Sequence, residues 1–89
     1  MKETYYIIQI IILEDSPKYN INKGVSYFVN IHDDMTNKLY WSQKFATKEK
    51  AEEHYHKILS ASWNTQLKIW TKTHKTKHII RKMEMTLVD

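Results

Sequence analysis

The chain has 89 residues and a formal net charge of +4, and it contains no cysteine, one glycine and one proline. This length allows one domain, so we expect residues 1–89 to share a single core. The absence of cysteine excludes disulfides, thiolate metal sites and cysteine nucleophiles, and it favours a cytoplasmic location. A single glycine also excludes glycine-rich phosphate-binding loops. Apolar residues make up 42% of the chain, which is typical of a folded protein.

The first predicted element is a strand over Thr4–Leu13, with the sequence TYYIIQIIIL. β-Branched and aromatic residues favour strands, and a nearly continuous apolar run predicts a central strand covered on both faces. A buried helix is the alternative, although the run lacks an N-terminal cap. The run is too short to span a bilayer, so we expect no membrane contact. Glu14–Gly24 follows with turn-forming residues, which predict a surface loop and a possible contact site.

The next segments predict a β-hairpin. Val25–Asp33 alternates between two faces, with Tyr27 on one and Phe28 on the other. Polar residues at positions 33–37 supply a turn, and Leu39–Phe45 is the predicted returning strand.

A helix is predicted from Lys48, with Thr47 as its N-cap. Apolar residues recur at helical spacing as far as Trp70. The helix should reach Ser60, and two continuations stay open: it runs on to about residue 71, or it breaks and residues 67–73 form a strand. The apolar stripe consists of Ala51, Tyr55, Ile58, Leu59, Trp63, Leu67 and Trp70.

The last predicted element is a strand over His78–Val88, because apolar and polar residues alternate near its end. Helical spacing of some apolar residues leaves a helix as the alternative. The resulting fold class is α+β: a small antiparallel sheet, in the chain order β-β-β-α-β, with one long amphipathic helix packed on one face.

Positive charge is concentrated late in the chain. Residues 1–53 carry a net charge of −1, whereas residues 54–89 carry +5. Such a basic region can contact nucleic-acid phosphates, although a solvated face would have the same composition. A single arginine argues against base-specific reading. The candidate nucleic-acid contacts are Lys68, Lys72, Lys75, Lys77, Arg81 and Lys82.

No catalytic, cofactor or metal site is predicted. The serines lack a nucleophile motif, and the acidic residues fit turn and helix-start positions, so we expect no enzyme. His74 and His78 are four residues apart and would share a face only in a helix. His54 and His56 would point to different sides, and no thiolate supports either pair. No small-molecule substrate is indicated.

Eleven aromatic residues exceed what a core built from one sheet and one helix can bury. Tyrosine and tryptophan beside polar residues are typical of binding hot spots. We therefore expect a protein interface, with a partner protein or a second copy of the chain. The residues predicted to form it are Tyr19, Phe28, Tyr40 and Trp41.

Residues 26–59 resemble the strand–turn–strand–helix pattern of the arm-type DNA-binding domains of phage and transposon integrases. The basic strands with which such domains read DNA are absent, so the resemblance assigns no function. The positions that match are Phe45, Thr47, Lys48, Ala51 and Glu52. The strand positions that remain polar or basic are Asn30, His32, Lys38 and Lys44.

The sequence thus favours a small, non-enzymatic interaction or regulatory protein. In size and composition it is similar to accessory proteins of phages and mobile elements, including anti-defence inhibitors that bind a host protein directly. The alternative is a basic nucleic-acid-binding module.

Overall fold

A computed structural model of the chain describes residues 2–86. They form a four-stranded antiparallel sheet and two helices, which confirms the predicted α+β class. The strand order across the sheet is β3-β2-β1-β4, so β1 is internal and β4 is an edge strand. The strands are β1 (Lys2–Ile12), β2 (Ser26–Val29), β3 (Met35–Thr36) and β4 (Thr76–Thr86), and the helices are α1 (Lys48–Ser60) and α2 (Gln66–Thr73).

The central position of β1 confirms the prediction from its apolar run. β1 pairs with β4 along its whole length, from Lys2 opposite Thr86 to Ile12 opposite Thr76. On its other side, β2 pairs only with residues 9–11. Beyond β2, the Tyr6 N–H donates to the Phe45 carbonyl at 2.8 Å, and the Phe45 N–H donates back at 2.9 Å. The N-terminal half of β1 therefore has a continuous strand partner on one side only, namely β4.

Both helices pack on one face of the sheet, which we call the helix face. Successive strand residues point to opposite faces, so the even-numbered residues of β1 face the helices. This layered arrangement encloses one core, since the apolar positions of both helices meet a single row of strand residues. The buried core residues are Ile8, Ile10, Val29, Ala51, Tyr55, Ile58 and Leu67.

The predicted hairpin partner of β2 is wrong. β2 pairs with Met35–Thr36, and Leu39–Trp41 forms a short 3₁₀ helix instead of a returning strand. The side-chain oxygen of Asn30 accepts the N–H groups of His32 and Asp34, at 2.9 and 3.0 Å. These hydrogen bonds reverse the chain a few residues earlier than the predicted turn. The residues that could have continued β2 are thereby placed in a loop.

The prediction of one long helix is also wrong, and so is the alternative prediction of a strand over residues 67–73. The chain forms two helices, α1 and α2, separated by a short break. The cap at Thr47 is confirmed, since its hydroxyl accepts the Lys50 N–H at 3.1 Å. Thr65 repeats this contact for α2 by accepting the Lys68 N–H at 3.2 Å. The second cap starts a new helix after a stretch of weak helix formers. Trp63 falls in that stretch and is 61% exposed, so it leaves the apolar stripe, whereas Leu67 returns to the core.

The C-terminal strand is confirmed as β4, although Leu87 and Val88 of the predicted range lie outside the described residues. The predicted surface loop at residues 14–24 is mostly exposed, and it contains a short 3₁₀ helix, Pro17–Tyr19. Among the described residues, no helix is both long enough and apolar enough to cross a bilayer.

Candidate functional site

A group of large apolar side chains is exposed where the chain leaves β2. Ile31 is 70% exposed, Tyr40 is 75% exposed and Trp41 is 59% exposed. The Tyr40 and Trp41 ring centroids lie 6.0 Å apart. These side chains line a cleft of about 450 Å³, which we call the aromatic cleft. Its lining residues are Asn30, Ile31, His32, Tyr40, Trp41 and Ser42.

The backbone of the aromatic cleft is held by local hydrogen bonds. The Ser42 hydroxyl donates to the Leu39 carbonyl at 2.7 Å, which closes the 3₁₀ helix Leu39–Trp41. Ser42 also forms an antiparallel bridge with Asn30. The next residue, Gln43, donates its N–H to the Val29 carbonyl at 2.9 Å. Tyr40 and Trp41 therefore project from a backbone that is tied to the end of β2.

The charged residues around the aromatic cleft differ in whether they have partners within the chain. Asp33 Oδ1 lies 2.7 Å from His54 Nε2. Asp34 accepts the Gln66 N–H at 3.1 Å, so both acidic side chains are engaged. Lys38 and Lys44 are exposed, and neither forms a salt bridge with another described residue. Two aspartates and two lysines are therefore close in the chain to the residues that line the cleft, and neither sign of charge prevails.

The four predicted interface residues do not lie together. Tyr40 and Trp41 share the aromatic cleft, whereas Tyr19 lies in the 14–24 loop, with its ring centroid 5.2 Å from that of His74. Phe28 lies on the sheet face away from the helices, since it pairs with the odd-numbered Gln9. It is only 8% exposed, so the expectation of an exposed Phe28 is wrong. The exposure of Ile31 was not predicted, because its alternation with Val29 indicated a position within a strand. The turn at Asn30 removes Ile31 from the sheet.

The six predicted nucleic-acid contacts are spread over the molecule. Lys77 and Arg81 pair with odd-numbered residues of β1, on the face away from the helices, whereas Lys82 pairs with an even-numbered one. Lys75 forms a salt bridge with Glu14 at 3.3 Å. The two remaining lysines lie on α2, and Lys68 donates to the carbonyl of Ala61. These residues do not share one face of the sheet.

Three potential metal ligands converge between α1 and β4. Glu52 Oε1 lies 2.7 Å from His78 Nε2 and 3.2 Å from His56 Nε2. The ring of His78 stacks on that of Tyr55, with centroids 3.9 Å apart and an interplanar angle of 13°. The structure thus brings His78 to His56 rather than to His74, which stacks on Trp70 instead. We call Glu52, His56 and His78 the histidine cluster.

The histidine cluster changes the ionisation of its acidic member. The hydrogen bond with His78 lowers the pKa of Glu52, and the contact with His56 adds to this, against the opposing effect of burial. Burial raises the pKa of the neighbouring Tyr55, and the charge of Glu52 adds to that effect. The sequence did contain part of this signal, because Glu52 and His56 are four residues apart on a predicted helix.

No protein-family model matches the chain, and comparisons with curated proteins and with solved structures also found no match. Function is therefore inferred from the residues and geometry of the chain itself.

Proposed function

We propose that the chain is a non-enzymatic interaction protein that binds a protein partner through the aromatic cleft. The observation that carries the proposal is the joint exposure of Ile31, Tyr40 and Trp41 around one cleft of about 450 Å³. Exposed apolar side chains that are scattered singly need no explanation, but a contiguous group bordered by polar residues is typical of an interaction site. Tyrosine and tryptophan are also enriched among the residues that dominate binding energy.

The cleft and its surroundings indicate the chemistry of the partner. A volume of about 450 Å³ is at the lower end of the range for small-ligand pockets. It suits one protruding aromatic or aliphatic side chain of another protein. Polar side chains also line the cleft, at Asn30, His32 and Ser42, and they favour hydrogen-bonding groups around that side chain. The proposed partner therefore presents an apolar anchor bordered by hydrogen-bonding groups.

Local order supports binding without a large rearrangement. The hydrogen bonds of Asn30 and Ser42 fix the backbone on both sides of the cleft. A preorganised site loses less conformational entropy on binding than a mobile loop. The anchor residues thus need mainly side-chain adjustment when a partner docks.

Trp63 provides a matched control for a test of the cleft. Trp41 and Trp63 have similar exposed fractions, 59% and 61%, but only Trp41 lines the cleft. We would capture partners from a nuclease-treated lysate of the encoding organism with the unaltered chain, W41A and W63A. Proteins lost with W41A and retained with W63A would then be purified, and their dissociation constants measured by calorimetry.

We expect W41A to weaken binding by roughly 30-fold or more, as a hot-spot truncation does, and W63A to leave it unchanged. Thermal melting of both variants should match that of the unaltered chain, because neither indole is buried. Equal affinities of the three proteins would contradict the proposal. A parallel capture from untreated lysate tests the alternative, since a partner found there and lost after nuclease treatment would favour a nucleic acid. Dimerisation in solution that is lost only in W41A would make a second copy the partner.

A further inference from the structure

We infer that the histidine cluster binds a divalent first-row transition-metal ion, with Zn²⁺ as the representative. One ligand atom from each of Glu52, His56 and His78 lies within 4.8 Å of the other two. In a tetrahedral zinc site with bonds of about 2.0–2.1 Å, neighbouring donor atoms are about 3.3 Å apart. The two distances from Glu52 Oε1, 2.7 and 3.2 Å, are both slightly shorter than this spacing. Small side-chain rotations therefore suffice to place all three atoms around one ion.

Two elements of regular structure position the three ligands. Glu52 and His56 are one helical turn apart on α1, so they project from the same side of the helix. His78 projects from β4 on the helix face and is held by its stacking contact with Tyr55. Ligands on a helix and a strand keep their spacing better than ligands on loops. Because β4 is paired with β1 throughout, a bound ion would connect α1 directly to the sheet.

The donor set determines which ions fit. Two imidazoles and one carboxylate suit zinc, iron(II), nickel and copper(II), whereas magnesium and calcium prefer oxygen ligands alone. Beside the cluster lies a cleft of about 600 Å³ whose lining includes Glu52 and His56. This cleft leaves room for water as a further ligand, and such an open position is typical of three-ligand zinc sites.

A second histidine–carboxylate contact on α1 lacks the convergence that a metal site needs. His54 Nε2 lies 2.7 Å from Asp33 Oδ1, the same distance as between His78 and Glu52. Among the described residues, however, no third ligand joins that pair in a group of metal-binding geometry. If the cluster were only a set of hydrogen bonds, the two contacts would respond to zinc in the same way. His54 therefore supplies the matched control.

The test uses the full chain without an affinity tag, because a polyhistidine tag would itself bind zinc. Zinc affinity and stoichiometry would be measured by competition with a chromophoric chelator, for the unaltered chain and for H56A, H78A and H54A. We expect one zinc ion per chain. Loss of an outer contact typically lowers metal affinity 10–100-fold, so H56A and H78A should each lower it by at least about that factor. H54A should leave it unchanged.

Two further measurements separate metal binding from an effect on folding. His56 is 65% exposed, so H56A should melt at the same temperature as the unaltered chain when a chelator is present. Only the unaltered chain and H54A should gain thermal stability when zinc is added. With Co²⁺ as the probe, the visible absorption of the unaltered chain should be retained in H54A and lost in H56A.

Two results would overturn the inference. One is the absence of stoichiometric zinc binding to the unaltered chain. The other is an equal zinc affinity of H54A and H56A. Neither result bears on the aromatic cleft, which contains none of the three ligands. The W41A and H56A experiments can therefore fail independently.

Discussion

The two faces of β1 are buried by different means. On the helix face, Ile8 and Ile10 are covered by side chains of α1 and α2. On the opposite face, which we call the open face, no helix covers the sheet in the part of the chain that the structure describes. Even so, Ile7 is only 1% exposed, and Phe28 on β2 is also buried. These two apolar side chains are thus removed from water without a helix over this face.

Polar and charged residues lie near Ile7 on this face. Arg81 lies directly opposite Ile7 on β4, and long charged side chains can cover apolar surface with their aliphatic stems. Farther along the same face, Gln9 donates a hydrogen bond from its side chain to the Ser26 hydroxyl at 2.9 Å. Near the other end, the Lys44 ammonium lies 5.0 Å from the centre of the Tyr5 ring. The open face therefore places polar and charged side chains among its apolar residues, and such side chains adapt more easily than packed helices.

The largest effect on the free energy of unfolding is expected when one buried isoleucine from each face of β1 is truncated. Truncation of a buried isoleucine to alanine costs about 2–5 kcal/mol, depending on how far the surroundings collapse into the cavity. I10A should lie near the top of this range because the helices fix the walls of its cavity. I7A should lie near the bottom because neighbouring side chains can fill the space. Urea denaturation of both variants checks this, and an equal or larger loss for I7A would contradict the comparison.

A smaller effect is expected from the hydrogen bond between Gln9 and Ser26. The double-mutant cycle of Q9A, S26A and their combination should give a coupling of about 1 kcal/mol, as for a net hydrogen bond in a folded protein. The measured quantity is the free energy of unfolding of the four proteins. A coupling near zero would mean that water replaces the bond and that polar contacts do not stabilise the open face.

The smallest effect is expected from the contact between Lys44 and Tyr5. K44M keeps most of the aliphatic stem and removes the charge, so it isolates the cation–π attraction of about 0.5–1 kcal/mol. Lys23 is exposed on the 14–24 loop, and K23M serves as the control. The difference in thermal melting between K44M and K23M measures the contact. Identical melting would show that the stem of Lys44, and not its charge, covers this end of the face.

The sequence predicted the elements that depend on strong local patterns. β1 follows from its continuous apolar run, and α1 from its helical stripe and the hydroxyl cap at Thr47. The break between the helices was harder to predict. It depends on Thr65, which caps a new helix, whereas the apolar stripe continues across the break as it would in one helix. The partner of β2 depends on the side chain of Asn30, whose oxygen accepts hydrogen bonds from two backbone N–H groups. A contact made by one side chain leaves no periodic pattern in the sequence from which it could be predicted.

The candidate sites differ in the same way. Tyr40 and Trp41 were predicted because exposed aromatic residues stand out in composition, whereas Ile31 was hidden by an alternation that the turn interrupts. The histidine cluster joins Glu52 to a residue 26 positions later in the chain. Their proximity depends on how α1 lies on the sheet and on the register of β4. Neither the crossing position of a helix nor the register of a distant strand can be read from one sequence.

The position of β4 at the edge of the sheet has a consequence for the solubility of the chain. Within residues 2–86, its 11 residues leave one row of backbone N–H and C=O groups without a neighbouring strand, over roughly 36 Å. Such an edge is a template for pairing with other chains and for aggregation, and charged side chains oppose that pairing. Lys77, Arg81 and Lys82 lie along this edge. Their positive charge therefore opposes the pairing of β4 with strands of other chains.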